Sequence, residues 1–278
     1  MSNCGKNIRV LVLRVNCYTS PMKRPASTSW GNVAGWYDEL LSGEGTYQSE
    51  VILPNLLRRL GDVKGRKILD LACGQGFFSY EFCCRGAHVT GVDISAELIK
   101  IAKKRISPKM NAHLEFVTAP ADKIPFVPDH SIDRVTIILA LQNIENVKGV
   151  LSECSRVLKA DGTLHLVLNH PAFRVPKASD WGWDDANKTQ YRRIDRYLSE
   201  TKVPIQMHPG DRPEEMTISF HRPLQTFFKQ FEKSGFCVAG LEEWISHKRS
   251  DSGPRAKAEN RARAEIPLFL YLGLQRHR

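Results

Sequence analysis

Two rhythms of hydrophobic positions alternate along the chain. Short apolar runs bounded by Gly or Asp read as buried strands, and apolar positions three and four apart read as amphipathic helices. Lys67-Ile68-Leu69-Asp70-Leu71 is such a run and ends in the turn Ala72-Cys73-Gly74-Gln75-Gly76. Phe77 to Arg85 then reads as a helix stopped at Gly86, and His88 to Val92 as a second strand ending at Asp93. Ser95 is suited to cap a helix that buries Leu98, Ile99 and Ala102. Strands are predicted at His113 to Val117 and Ile132 to Leu139, a helix at Val147 to Leu158, and a strand at Thr163 to Leu168 after the turn Asp161-Gly162. A helix from Leu224 to Lys233 and strands at Phe236 to Trp244 and Ile266 to Leu274 close the pattern. Upstream, Trp36, Tyr37, Leu40 and Leu41 fall at helical spacing, as do Val51, Ile52, Leu56, Leu57 and Leu60 before Gly61.

Strands alternating with helices predict an α/β fold with a doubly wound, mostly parallel sheet. In such sheets ligands bind beyond the carboxyl ends of the strands, where the Gly-rich turn and Asp93 both fall. Two segments break the rhythm. Residues 1–29 are rich in Arg, Lys, Ser, Thr and Pro, and are expected to be a disordered or non-native extension, with Met22 as an alternative start. Residues 30–278 then form a single domain with a helical cap at 30–62. Residues 169–222 lose the regular pattern and gather aromatic and histidine residues, as a lid or substrate-binding insertion after the fifth strand does.

Composition narrows the classes. Of the 278 residues, 42% are hydrophobic and 25% charged, which excludes a disordered or fibrous chain. No apolar run reaches the ~18–20 residues of a membrane span. The early run Ile8 to Val15 contains Arg9 and Arg14, unlike a secretory signal, so a cytoplasmic protein is expected. The seven cysteines are scattered without a C-x-x-C pair, so neither a zinc ribbon nor a thioredoxin-type site is expected, and no metal. The net charge of +10 fits an anionic partner or simple solubility. Part of it is concentrated at Lys248, Arg249, Arg255, Lys257, Arg261 and Arg263.

The Gly-rich turn carries the chemistry. Gly74 and Gly76 permit a close backbone approach, and the helix opening at Phe77 aims its free amides at the same place. A carboxylate at Asp93 can accept both hydroxyls of a ribose. The dinucleotide fingerprint G-x-G-x-x-G/A is not met, because the run is G-Q-G-F-F-S with Ser79 at its third small position. Asp70 would repel a pyrophosphate and suits a cationic ligand.

The runs ILDLACGQGFFS and GVDIS resemble motif I and its acidic follower in class I S-adenosylmethionine-dependent methyltransferases. Ala121-Asp122-Lys123-Ile124-Pro125-Phe126, followed by Ser131-Ile132-Asp133-Arg134-Val135, resembles their A-E-x-L-P-F…S-F-D-x-V segment. The resemblance spans roughly 30–168 and 223–275. It is closest to the small-molecule branch that includes the quinone-biosynthesis enzymes. It implies a seven-stranded Rossmann-like sheet with an antiparallel last strand, and S-adenosyl-L-methionine as cofactor, with S-adenosyl-L-homocysteine as product. It places Ala72, Gly74 and Gly76 against the methionine part and Asp70 near its amino group. Asp93 then holds the ribose, Ile94 faces adenine, and Ala121 and Asp122 lie at the adenine edge. Ala140, Leu141 and Asn143 line the methionyl side. Tyr37 resembles the aromatic of the family's N-terminal helix, and Trp30 and Tyr47 would close the same side. One departure is Pro120, where the family often has Asp.

Methyl transfer from a sulfonium is an in-line displacement, so the protein supplies alignment and a dry site, and a base where the acceptor must lose a proton. His170, in the run Asn169-His170-Pro171-Ala172-Phe173-Arg174, is the first candidate base. His221 and Tyr191 are the others. Asn169, Phe173, Arg174, Trp181, Arg192, Arg193 and Tyr197 are candidates for holding an anionic or ring-bearing acceptor. The run N-H-P-A-F differs from the N-P-P-F/Y motif of enzymes that methylate nucleic-acid amino groups, and it follows the wrong strand. A small-molecule acceptor methylated at O, N or an activated C is therefore the leading reading. The alternatives are methylation of RNA or protein through a basic C-terminal tail, and a non-enzymatic cofactor-binding module.

Overall fold

In the computed structural model, residues 45–108, 110, 112–208 and 212–277 are described. The expectations for the extension 1–29, the first cap helix, Trp30 and Tyr37 lie outside these residues. A π-helical turn, Gln48–Ile52, leads into helix α1, Leu53–Leu60, with Pro54 in its first turn where no N–H is required. Then follow β1 (Lys67–Leu71), α2 (Phe77–Cys84), β2 (His88–Asp93), α3 (Ala96–Lys104), β3 (Leu114–Thr118) and β4 (Ile132–Ile138). Next come α4 (Val147–Val157), β5 (Leu158–Asn169), β6 (Ser179–Asp184), β7 (Thr189–Ile194), β8 (Thr201–His208) and β9 (Arg212–His221). The chain ends with α5 (Leu224–Lys233), β10 (Phe236–Trp244), α6 (Ala256–Glu265) and β11 (Phe269–Arg276).

Seven strands form one sheet in the order β10-β11-β5-β4-β1-β2-β3. β11 runs antiparallel to both of its neighbours, and the other pairings are parallel. Side chains alternate across the strands. Leu69 and Leu71, Leu164 and Leu166, and Leu270 and Leu272 face one layer with α4 and α5. Ile68, Val167 and Tyr271 face the other, with α1, α2 and α3. The doubly wound architecture is thus as the hydrophobic pattern predicts. Ser95 caps α3 as expected, its Oγ accepting from the Leu98 amide at 3.2 Å.

Three segments differ from expectation. The insertion after β5 is not irregular: it holds two antiparallel hairpins, β6–β7 and β8–β9. Asp161 and Gly162 do not precede a strand but sit inside β5, where the register jumps from the Ile132–Leu158 pair to the Arg134–Thr163 pair. The basic segment is no tail. It lies between β10 and β11 and contains α6, whose one buried residue is Ala262.

One packing contact shapes the region of interest. The Phe116 ring on β3 lies over both Gly76 and Gly91, where an added Cβ would meet its carbons at 2.5 Å. Only glycine leaves room for that ring between α2 and the sheet. Gly91→Ala is therefore expected to destabilise the fold by about 1–3 kcal/mol. The midpoint of urea unfolding measures this, and Phe116→Leu in the same background should recover part of the loss.

Candidate functional site

Backbone geometry sets the site at the carboxyl ends of β1, β2 and β4. Ala72, just past β1, and Leu139, just past β4, are non-glycine residues with positive φ, 55° and 54°. Such backbone is held only when its surroundings force it, and it clusters where ligands bind. Gly74 and Gly76 also have positive φ, 59° and 82°, and carry the chain around the turn into α2.

The Asp93 carboxylate ties the walls together. One oxygen accepts from the Gly74 amide at 2.8 Å, and the other from the Ser95 amide at 2.9 Å. Burial pushes its pKa up, and these backbone donors pull it back. Each carboxylate oxygen keeps a further lone pair for a ligand hydroxyl.

Asp70 sits beneath the turn. Its two oxygens accept from Ser79 Oγ at 2.6 Å and Thr136 Oγ1 at 2.8 Å. Burial raises its pKa to about 6, against those two hydrogen bonds. Ser79, which breaks the dinucleotide pattern, is thus the partner of a buried acid. The polar row continues across the same face. Thr136 pairs with His165 in register, and His165 Nδ1 lies 2.8 Å from the Tyr271 hydroxyl, which reaches it over Gly273. Burial, with Arg134 and Arg59 nearby, lowers His165 to about 3, so its ring is neutral.

Above the turn lies a cavity of about 310 Å³. Ala72, Gly74, Asp93 and Ile94 line it, as do Ala121, Asp122, Ala140 and Asn143. Ile94 is 64% exposed, an uncovered apolar surface on that wall. Asp122 accepts from Asn146 Nδ2 at 2.7 Å. Asp70, Gly76 and Leu141 lie behind the lining and shape it. Pro120, noted as a departure, is on the wall, and sequence reasoning missed Leu139, Ile144, Glu145 and Phe220 there. Their common signal is position, since all but Phe220 follow the ends of β3 and β4.

A residue set with one ribose-type carboxylate, an apolar ledge and, among the described residues, no cation on the lining suits a nucleoside bearing a cationic sulfonium.

The candidate catalytic and acceptor residues separate. His170 is buried, its Nε2 is 2.7 Å from Glu243, and its Nδ1 accepts from the Ala172 amide at 3.2 Å. Burial holds its pKa below the ordinary value. With Nδ1 accepting and Nε2–H donating, the ring has no lone pair left for a substrate proton. His170 instead fastens the end of β5 to β10. Tyr191 is on the exposed hairpin, packed on Gly182, away from the cavity. Trp181 lies under the Arg192 guanidinium, which donates to the Phe173 carbonyl and to Ser179 Oγ. Arg193 pairs with Asp195 at 3.0 Å. Tyr47 hydrogen-bonds Ser246 and packs against Phe269. Tyr197 accepts from the Leu224 amide and so serves the start of α5. His221, Asn169 and Arg174 come together along a second, smaller cavity of about 40 Å³. His221 Nε2 donates to the Tyr197 carbonyl at 2.7 Å, which leaves Nδ1 as the lone-pair nitrogen. Phe220 lines both cavities.

Comparison with known proteins agrees with this geometry. Residues 69–166 match the methyltransferase domain family. A solved S-adenosylmethionine-dependent methyltransferase from Mesorhizobium loti superposes with a TM-score of 0.65 at 26% identity, over 80% of this chain and 96% of that one. Residues 69–166 are thus a methyltransferase domain, and the fold is that of solved S-adenosylmethionine-dependent methyltransferases. The chain is 32% identical to a demethylmenaquinone methyltransferase of Clavibacter sepedonicus over 51% of this chain and 60% of that protein. An uncharacterized protein of Haemophilus influenzae is 28% identical over 68% of this chain and 74% of its own length. Among the described residues, no helix is long and apolar enough to cross a membrane.

Asp70 makes the stability of this methyltransferase pH-dependent. Its folded-state pKa lies above its unfolded one, so the native state binds the extra proton as pH rises from about 4 to about 6. The group is neutral below that window and costs stability above it. Relative to wild type, Asp70→Asn is expected to gain stability between about pH 4 and about pH 7, by up to about 3 kcal/mol. Denaturant unfolding at a series of pH values measures it, and a pH-independent difference would contradict the assignment.

Proposed function

We propose that the chain transfers a methyl group from S-adenosylmethionine to an O, N or activated C atom of a small-molecule acceptor. The observation that carries this reading is the Phe220 ring, which the insertion contributes to the wall of the motif-lined cavity. The acceptor then approaches from the insertion side. When bound, the cofactor supplies an already activated methyl, so this chain's residues need only bind, orient and exclude water.

In this reading, Asp93 accepts the ribose hydroxyls while Gly74 and Ser95 hold its carboxylate in place. Ile94 covers one adenine face, and the Ala121 amide and Asp122 mark the adenine edge. Ala140 and Asn143 flank the methionyl end, and Asp70 contributes negative charge from beneath the turn. His221 Nδ1 is the nitrogen available to take a proton from an acceptor hydroxyl. The relatives named for demethylmenaquinone support a small molecule as the acceptor class. The basic segment gives less support to an RNA or protein acceptor, because Arg255 is engaged over the Trp183 ring at 4.6 Å.

Calorimetric titration with S-adenosylhomocysteine tests the cofactor assignment. Asp93→Ala is expected to weaken binding by about a hundredfold, through loss of charge-assisted hydrogen bonds to two hydroxyls. Equal affinity in wild type and a folded Asp93→Ala protein would refute it.

A further inference from the structure

Two residues that line the smaller cavity, Arg222 and Gln142, each carry a buried polar atom that has no partner among the described residues. Arg222 is 7% exposed. Its Nη2 donates to the Ile144 carbonyl at 3.0 Å and the Glu145 carbonyl at 2.9 Å. Among the described residues its buried Nη1 has no acceptor and the buried Gln142 Oε1 no donor. The Gln142 amide orientation is fixed, because Nε2 donates to the Leu139 carbonyl at 2.7 Å. One unpaired donor and one unpaired acceptor thus belong to two residues that line the same small cavity.

The charge on Arg222 is the less usual feature. A buried guanidinium normally has a carboxylate partner, since an unpaired buried charge is costly. Among the described residues Arg222 forms no ion pair, and Glu200 and Glu145 act on it only from a distance. Its guanidinium packs 5.0 Å from the centre of the Phe220 ring. Lys202 lies 5.3 Å from the same ring, but Glu145 already pairs with it at 3.2 Å. Arg222 is thus the unneutralised cation beside the ring shared by the two cavities. A volume of about 40 Å³ admits a small head group and no ring.

We propose that this cavity receives an anionic oxygen of the methyl acceptor, a carboxylate or enolate, on Arg222 Nη1, with a neighbouring acceptor hydroxyl donating to Gln142 Oε1. The acceptor class is then a planar molecule with an anionic oxygen beside a hydroxyl. Its head group is held in the small cavity and its body passes Phe220 toward the cofactor. This assignment rests on the methyl-transfer reading above and names the chemistry that reading leaves open.

Salicylate carries a carboxylate beside a hydroxyl, and salicylamide is its uncharged counterpart. Both are titrated calorimetrically into protein saturated with S-adenosylhomocysteine. Salicylate is expected to bind at least about tenfold more tightly than salicylamide to wild type. Arg222→Gln should abolish that preference, and retained S-adenosylhomocysteine binding shows that the cavity wall Arg222 holds through the Ile144 and Glu145 carbonyls is still in place. Arg222 also holds two backbone carbonyls, so Gln142→Glu is the second variant. It leaves Arg222 in place, adds a repelling charge, and should weaken salicylate more than salicylamide. Equal affinities in wild type, no salicylate binding to the S-adenosylhomocysteine complex, or a preference that survives in both folded variants would each overturn the proposal. A protein that does not bind S-adenosylhomocysteine at all would fail earlier, at the cofactor reading.

Discussion

The site depends on one carboxylate that cannot turn away from the backbone. Asp93 stands at the end of β2 and receives an amide from the β1 turn on one oxygen and an amide from the start of α3 on the other. The β1 turn is also held by the Cys73 amide on the Val92 carbonyl at 3.0 Å. Tied to a common acceptor, the two loops form opposite walls at a set separation. The same group that would bind a ribose is therefore what keeps the ribose site open.

Two buried acids lie close in this region, with different neighbours. Asp93 is held by backbone N–H groups, which cannot move without moving the fold. Asp70 is held by the hydroxyls of Ser79 and Thr136, which can rotate. Hydroxyls serve a carboxylate or a carboxylic acid equally well. Asp70 can therefore change protonation without leaving a hydrogen bond unmade, whereas Asp93 is bound as the anion. On the same face Thr136 joins β4 to β1 through Asp70, and His165, bonded to Thr163 and to the Tyr271 hydroxyl, joins β5 to β11, so side chains as well as the backbone ladder link these pairs of strands.

The central sheet was legible in the sequence because its strands are buried on both faces. Runs such as Ile68 to Leu71 and Ile132 to Ile138 have no exposed alternative. The turn at Gly74 and the acid at Asp93 were legible because backbone chemistry restricts what can stand there. The hairpins β6–β7 and β8–β9 were not. Trp181 and Tyr191 are on a ribbon that turns neither face to the main core, and Thr217 to Arg222 are buried continuously, polar residues included. Periodicity reports a single buried face, and these strands lack one. His170 drew attention for its type and its place after β5. Its role came from Glu243, far along the chain, which no local pattern reveals. Phe220 and Arg222 were hidden for the same reason: what they face is set by the packing of a hairpin on a loop.

The position of β11 has a consequence for how the chain reaches this shape. Residues 269–276 run between β5 and β10 and hydrogen-bond to both. Until that segment is synthesised, β5 has an open edge along its whole length and β10 has no partner in the sheet. A growing polypeptide can assemble β1 to β5 with their helices, but it holds that edge unpaired for the time needed to make more than a hundred further residues. The hairpins and α5 emerge in this interval, before the wall they join is closed. The edge of β5 is thus closed by the strand that is made after all the other strands of the sheet.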